Sequence, residues 1–560
     1  MAVAHLVRLS CASFRRRIPL PSLLVTALAL GLAGGLTGCG TPSEATPSKK
    51  SPSEATTSAP TSTKEVRTDT TDEADTDSLD FNRNIRTTDP LSPEEERAKL
   101  HVPPGFEVQV FAAEPNITKP LNIEFGPRGR LWVSQSQEYP FAAEEGEGTD
   151  RITILEDTDG DGRADEFTDF ADDLNIPIGV MPLPNGGAMG YSIPYIYRYF
   201  DEDGDDRVDE RVALYGRFSY DRDTHGMVNN MTRGFDGLVD VCHGFNNRSV
   251  VHSADSGSVL LDGGSTFEVS LDGTVLERTT TGRINPFGMA YDHLGYLYSV
   301  DCHTDPLYQL VWGADYPQFG KSPTGIGFGP QMMRSDHAHG PTAISGAVYY
   351  HDPEFPAAYQ HNFFSGNVVS SRVNRDRIVR RGTTPIAEHR EDFIVSEDPW
   401  FRPVDLTIGP DGALYVADFY NRIIGHYEVP LDHPGRDRRR GRIWRITYEG
   451  EDHQVAAERP TEDWREAPLD TLLRDLAHPN LKVRMLAADQ IVHRVGTEAV
   501  GPVRDLLDGT ADSLQTAHGL WILNRMDTLT ADRLRAAASE AERVVRTHAM
   551  RIIAHSANLD

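Results

Sequence analysis

The sequence predicts a six-bladed β-propeller followed by an α-helical segment, and three observations carry that reading. The first is a phrase that returns along the chain: a short apolar strand, a glycine-centred turn, a second strand and a polar loop. Its clearest copies are FGPRGRLWVSQ (Phe125–Gln135), YDHLGYLYSVDC (Tyr291–Cys302) and IGPDGALYVADFY (Ile408–Tyr420), with looser copies at MPLPNGGAMGYS (Met181–Ser192) and TRGFDGLVDVCHG (Thr232–Gly244). The turn glycines Gly129, Gly186, Gly237, Gly295 and Gly412 are spaced by 57, 51, 58 and 117 residues. The second observation is that the last gap holds two repeats. The missing member fits SGAVYYHDPEFPAAYQHNFFSGNV (Ser345–Val368), where an insertion replaces the tight turn. Six sheet-forming repeats of this length specify a propeller, because each blade can cover its faces only with its neighbours. The third observation is a change of period after Trp464. Leu469, Leu472, Leu473 and Leu476, then Val483, Leu486, Ala487 and Ile491, recur at helical spacing. Further helices are expected over 500–507, 514–523 and 544–553, paired as in a HEAT-type solenoid. The expected boundaries are 99–450 for the propeller and 464–560 for the HEAT-like repeats.

The N-terminal residues are not part of this fold. Arg8 and Arg15 to Arg17 precede an apolar run from Ile18 to Leu36, and Leu36-Thr37-Gly38-Cys39 follows. The pattern resembles a bacterial lipoprotein signal peptide over 1–38, which implies cleavage before Cys39 and lipidation of its sulfur. Residues 39–98 are rich in Ser, Thr, Pro and acidic residues and are expected to be a disordered tether, because they cannot bury enough apolar surface to offset chain entropy. A lipid anchor on such a tether implies a membrane-attached protein outside the cytoplasm, periplasmic or at the cell surface.

The formal net charge of −29 and the pI near 5.1 exclude nucleic acid as a partner. Beyond Cys11 and Cys39 only Cys242 and Cys302 remain, at matching points of neighbouring repeats. A disulfide and two separate buried thiols are both open readings. A zinc site built on Cys242-His243 and Cys302-His303 is disfavoured, because adjacent strand residues point to opposite faces. No Cys-x-x-Cys-His occurs, so no covalent c-type haem is expected in this chain.

Two acidic loops are the sharpest local signals. Asp157, Asp159, Asp161 and Asp165 stand at positions 1, 3, 5 and 9 of a loop with Gly162 at position 6 and the carbonyl of Arg163 at position 7. Asp201, Asp203, Asp205 and Asp209 repeat the spacing, with Asp206 where glycine is preferred. Hard cations take six to eight oxygens, and this spacing wraps a chain around one. The flanks read as strands, so calcium-binding β-hairpin loops with a structural role are expected rather than EF-hands.

The loops that enter each innermost strand and leave the next one share one face of a propeller. They supply His225, Asp223, Asn229, Asn285 and Arg402 on entry and Asp301 with His303 on exit; the insertion before blade five adds His337 and His339. Histidine beside aspartate can act as a general base, and arginine can hold an anionic group.

Several strings, among them PPGFEVQVFAAEP, EYPFAAEEG, ILEDTDGDGRADE, DTHGMVNNMTRGFDG and GRINPFGMAYDHLGYLYSVDCHTDP, resemble the membrane-bound dehydrogenases of planctomycetes and verrucomicrobia. Members of that family carry a propeller, HEAT-like repeats and often a cytochrome c domain. More distantly, the propeller is similar to soluble quinoprotein sugar dehydrogenases. That resemblance implies pyrroloquinoline quinone in the central well, with His225 as general base and Arg283 beside the quinone; Asn285, Asn229, Asp301, His303 and Arg402 are cofactor-binding candidates from their place in the loops around the well. Ile284 separates Arg283 from Asn285 where the family string is Arg-Asn-Pro. The expected activity is oxidation of a sugar or alcohol, with Asp223, His337 and His339 as further catalytic candidates. Two other readings stay open: a scaffold that binds carbohydrate or, through its HEAT arm, a protein partner; and a propeller hydrolase or lyase.

Overall fold

The computed structural model describes residues 85–255, 257–302, 307–316, 338–340, 343–382, 384–423, 429–451, 453 and 458–555. Six antiparallel sheets follow one another along the chain. Blade 1 comprises Pro120–Phe125, Leu131–Gln135, Asp150–Glu156 and Glu166–Leu174; blade 2 comprises Val180–Pro182, Ala188–Ser192, Tyr195–Phe200 and Glu210–Tyr215. Blade 3 comprises Val228–Arg233, Val239–His243, Ser265–Val269 and Leu276–Thr280, with the hairpin Arg248–His252/Ser258–Asp262 inserted. The described strands of blade 4 are Pro286–Tyr291, Leu297–Asp301 and Tyr308–Leu310. Blade 5 is Ile344–Tyr350, Asn362–Asn367 and Arg372–Arg381, the last pairing with both Thr384–His389 and Ile394–Ser396. Blade 6 is Pro403–Ile408, Leu414–Asp418 and Arg442–Tyr448. The first strand of every blade contacts the first strand of the next, and blade 6 returns to blade 1, so six innermost strands surround a channel.

The repeated glycine turn has one geometry. Gly129, Gly186, Gly237, Gly295 and Gly412 all have positive φ, between 65° and 91°, and each donates its N–H to the carbonyl three residues back. A side chain is strained at this φ, which is why the turn is legible in the sequence. In blade 5 the loop from His351 to His361 takes its place, as the insertion in that repeat requires. A β-bulge near the start of the innermost strand recurs in blades 1, 3, 4, 5 and 6 and re-aims the entry residues.

The ring is closed by a strand from before the first blade. Phe106–Ala113 pairs antiparallel with Arg442–Tyr448, from Phe106 opposite Tyr448 to Ala113 opposite Arg442, and forms the outer strand of blade 6. The residues just before it are also built in. Helix α1 (Pro93–Arg97) starts with a capping box between Ser92 and Glu95, and Glu96 and Arg442 pair with both side chains fully buried. Ile85 bridges to Ile423. The expected tether therefore overruns: within 39–98, residues 85–98 are part of the fold, fixed by polar contacts that an apolar-content argument does not register. The signal segment, Cys39 and the tether up to residue 84 lie outside the described residues.

Helices α2 (Leu469–Asp475), α3 (Leu481–Gln490), α4 (Val500–Asp508), α5 (Ser513–Arg525), α6 (Ala531–Ala538) and α7 (Arg543–His555) form three hairpins, whose second members α3, α5 and α7 pack in sequence. They lie across the glycine-turn end of the propeller. Trp464 N–H and Arg459 donate to carbonyls in the blade 1 turn, at Pro127, Arg128 and Gly129. Gln490 Nε2 donates to Pro184 O in blade 2, and Asn480 Nδ2 to Gly409 O in blade 6. In blade 3, Phe235 inserts among Leu520, Trp521, Leu534, Val545, Ala549 and Ile552. His548 and Arg551 bond the carbonyls of His293 and Leu294 in blade 4, and His351 of blade 5 bonds Pro479 O. Every blade thus touches the helical segment, or the residues leading into it, through its first turn.

Candidate functional site

The channel is closed at the turn end. A cavity of about 160 Å³ there is lined by all six innermost strands and, across its floor, by Asn480, Leu481, Lys482 and Met485 of α3 and its cap. Asp405 lines it, held by Asn122 Nδ2 (3.1 Å) and the N–H of Ile123 (3.0 Å), and burial pushes its carboxyl up to about 7. The opposite end of the channel is where the innermost strands begin, and there the predicted site residues gather.

At that mouth His225 and Tyr139 meet. The Tyr139 hydroxyl lies 2.8 Å from Nδ1 of His225, both residues are half-buried, and Phe287 stacks on the imidazole. Tyr139 reaches the site from the loop after the second strand of blade 1 and also packs edge-on to Phe419. Phe419 in turn sits under Lys119, whose buried ammonium bonds the carbonyls of Phe419 and Tyr420 and pairs with Asp437 at 3.1 Å. Burial pulls Lys119 down to about 8. The Asp223 carboxylate accepts the backbone N–H of His225 at 2.9 Å, which shapes the loop, while the ring meets Tyr139. Sequence reasoning missed Tyr139. The string EYPFAAEEG contained it, but nothing local marks a tyrosine that acts two blades away.

Most other candidates at the mouth hold the strands in register. Asp301 Oδ2 accepts the N–H groups of Ile284 (2.9 Å) and Asn285 (3.1 Å). Asp418 Oδ1 does the same for Arg402 (2.7 Å) and Tyr420 (2.9 Å), Gln135 for Thr118, and Ser192 for Asn175. In blades 1, 2, 4 and 6 a polar residue at the end of the second strand therefore caps the incoming innermost strand. Asn285 is fully buried, accepting from Phe245 N–H and donating to Cys302 Sγ; Asn229 is fully buried, donating to the carbonyls of Met227 and Pro286.

The two arginines assigned to a cofactor are placed differently from expectation. Arg283 is buried beneath blade 4, 2.6 Å from Ser299 Oγ and against the Tyr308 ring, because Ile284 shifts it off the channel side. Arg402 is buried and donates to Ser371 Oγ and to the carbonyls of Phe401 and Pro399. Pyrroloquinoline quinone, which the resemblance implies, would meet Asn285, Asn229 and Arg402 already hydrogen-bonded to protein groups. His339 also leaves the mouth: its Nε2 is 2.8 Å from Asp376 on the third strand of blade 5. His303 and His337 lie outside the described residues. Cys242 and Cys302 are separate buried thiols, pushed up by burial to about 11 and about 12.

The acidic loops join the third and fourth strands of blades 1 and 2, as β-hairpins. Ligand atoms of Asp157, Asp159 and Asp165 lie within 4.8 Å of one another, as do those of Asp201, Asp203 and Asp209. Asp157 is oriented by the N–H groups of Gly160 (2.8 Å) and Gly162 (2.9 Å). Asp161 and Asp205 instead cap the N–H of Arg163 and Arg207, both at 2.9 Å. This oxygen-only donor set fits a hard cation. Asp206 adopts φ 64°, as the glycine position demands, and its carboxylate bridges to blade 1 through Arg130 (2.6 and 2.8 Å) and Arg128 (2.8 Å).

These features define a class: a six-bladed β-propeller with a helical segment across the glycine-turn end of its channel. The chain belongs to the DUF7133 family, a domain of unknown function whose model matches residues 92–450. No curated protein matches it. Among solved structures it is similar to the PQQ-bound aldose sugar dehydrogenase of Streptomyces coelicolor, at 17% identity and TM-score 0.40, over 62% of this chain and 99% of that one. The PQQ domain of pyranose dehydrogenase from Coprinopsis cinerea matches at 15% identity and TM-score 0.37, over 62% and 97%. A streptogramin B lyase matches at 11% and 0.35, over 61% and 98%. Overlap of this degree says nothing about this chain's chemistry. No helix among the described residues is long and apolar enough to cross a membrane.

Proposed function

We propose that the chain is an extracytoplasmic propeller enzyme, tethered through a lipid on Cys39, that oxidises a sugar or alcohol at the open end of its channel. The observation that carries the reading is the His225–Tyr139 pair: two half-buried proton-transfer groups 2.8 Å apart, walled by Phe287 and Phe419, where the innermost strands begin. His225 accepts the hydroxyl proton, and Tyr139 orients the ring and shares the charge. A positioned base of this kind contributes about 10²- to 10⁴-fold in rate. As the O–H proton goes to His225, the carbon-bound hydrogen leaves as a hydride to a two-electron acceptor of the quinone or dye class, supplied in the assay; no residue of this chain is assigned to hold that acceptor. We further propose that the loops at Asp157 and Asp201 hold calcium in a structural role.

The test is dye-linked oxidation of a sugar and alcohol panel, with and without added pyrroloquinoline quinone, by wild type and His225→Ala. The expected result is turnover in the wild type and a loss of at least about 10²-fold in the variant, with little change in melting temperature. Turnover that survives in the variant would remove His225 from the mechanism. Absence of turnover across the panel would favour the second reading, a non-catalytic binding propeller. One observation supports that alternative: the polar residues at the strand entries cap backbone N–H groups, as a purely structural repeat requires.

A further inference from the structure

A group of three histidines stands apart from the mouth, at the sealed end of the channel. His293 belongs to the glycine turn of blade 4. His351 and His361 are the two ends of the loop that replaces that turn in blade 5. Their rings form a triangle: the centroids of His293 and His351 are 4.9 Å apart and nearly parallel, those of His351 and His361 4.8 Å, and those of His293 and His361 5.3 Å. One nitrogen of each lies within 4.8 Å of one nitrogen of the other two.

The surroundings prepare these rings for one task. Nδ1 of His351 lies 3.3 Å from the carbonyl of Pro479, so that nitrogen carries the proton. Nδ1 of His361 is 2.8 Å from the Tyr349 hydroxyl, and Nδ1 of His293 is 3.4 Å from the same oxygen. Outer contacts of this kind fix the tautomer and aim of metal-ligating imidazoles. Among the described residues no hydrogen bond reaches Nε2 of any of the three. The nearby cations are committed elsewhere: Arg380 pairs with Asp292, and Arg484 donates to His518 and to the carbonyls of His478 and Pro479. Burial first, then the neighbouring imidazoles and the charges of Arg377, Arg380 and Arg484, keep the three half-buried rings neutral, the state in which imidazole binds metal. His293 and His351 also line the cavity at the floor of the channel.

We propose that His293, His351 and His361 form a three-imidazole site for a divalent transition metal of the zinc type, with its fourth position open to the channel cavity. Zinc takes three histidines plus one exchangeable ligand at tetrahedral geometry, with Zn–N near ~2.0–2.1 Å. One nitrogen of each ring lies within 4.8 Å of the others, within reach of that geometry by side-chain rotation. The site differs from the acidic loops in every donor, so imidazole-loving metals select it and calcium does not. The metal would join blades 4 and 5 beside the cap at Pro479.

Cobalt(II) titration of the metal-free full chain, followed by optical absorption, tests this, with X-ray absorption of the zinc-loaded wild type as a second measurement. The expected result is one equivalent of cobalt with the intense visible bands of a four-coordinate site, and three imidazoles in the first shell of zinc. His361→Ala should abolish the bands. His389→Ala, which alters the separate His339–Asp376–His389 cluster, should leave them intact. Weak six-coordinate bands, an oxygen-only shell, or bands lost in His389→Ala and kept in His361→Ala would each overturn the proposal. The wild-type spectra decide the matter even if a variant fails to fold.

Discussion

At the residue scale, the same side-chain types do two jobs, and distance tells them apart. Asp301 accepts two backbone N–H groups from an incoming strand and Asp418 accepts one from the incoming strand and one from Tyr420 just after Asp418 itself, whereas His225 offers its ring to Tyr139 across two blades. Asp206 is a third case. It occupies a left-handed position that suits glycine, and its carboxylate ties blade 2 to Arg130 and Arg128 of blade 1. Arg130 is largely buried while Asp206 is about a fifth exposed. Asp206→Ala should therefore cost about 1–2 kcal/mol, between the value of an exposed pair and that of a fully buried one. Urea unfolding measures it; a cost under a few tenths would show the bridge to be idle. A buried arginine such as Arg283 looks in sequence like an anion ligand. One inserted residue, Ile284, puts it under Tyr308 instead, and no single-residue signal reports that.

At the element scale, what was legible follows from what is local. The turn glycines, the blade count, the insertion in blade 5 and the hairpin setting of the acidic loops all depend on neighbours in sequence. The closing strand Phe106–Ala113 and the tie of Glu96 to Arg442 depend on residues at the far end of the propeller, and only the fold brings those together. Calcium is testable here. Melting curves with calcium and with chelator should differ by a few kcal/mol of stability at about a hundredfold excess over the dissociation constant, and Asp159→Ala should shrink the difference; superimposable curves would contradict it. Blade 3 supplies a pH test. Asp240 and Glu268 face each other on adjacent strands, and burial followed by the Asp240 charge raises Glu268 to about 9, while burial raises Asp240 to about 7. A carboxyl raised in the folded state holds its proton there while the unfolded chain releases it. Its stabilising contribution is full below the ordinary value near 4.5 and is lost as pH climbs toward 9. Glu268→Gln should raise the melting temperature at pH 8 by roughly 2 °C or more and by less at pH 5. An equal change at both would contradict the assignment.

At the scale of the whole molecule, the helical cap decides which end of the channel can work. The helical segment and the residues leading into it meet all six first turns, through Arg459, Trp464, Pro479 and Asn480 as well as α3, α5 and α7, and His225 and Tyr139 stand at the opposite end. Phe235 is the plug of the contact, driven from a blade 3 turn into the layer of Leu520, Trp521 and Ile552. Phe235→Ala should cost about 3–5 kcal/mol by cavity formation. The most direct test of a cap integral to the propeller is native-state hydrogen exchange on wild type and Phe235→Ala, read by mass spectrometry. The account predicts that α3, α5 and α7 are protected in the wild type to the level of the blade strands, and that in the variant their exchange accelerates while blades 1, 2 and 6 stay protected. Fast exchange of these helices in the wild type, or no change on removing Phe235, would contradict it.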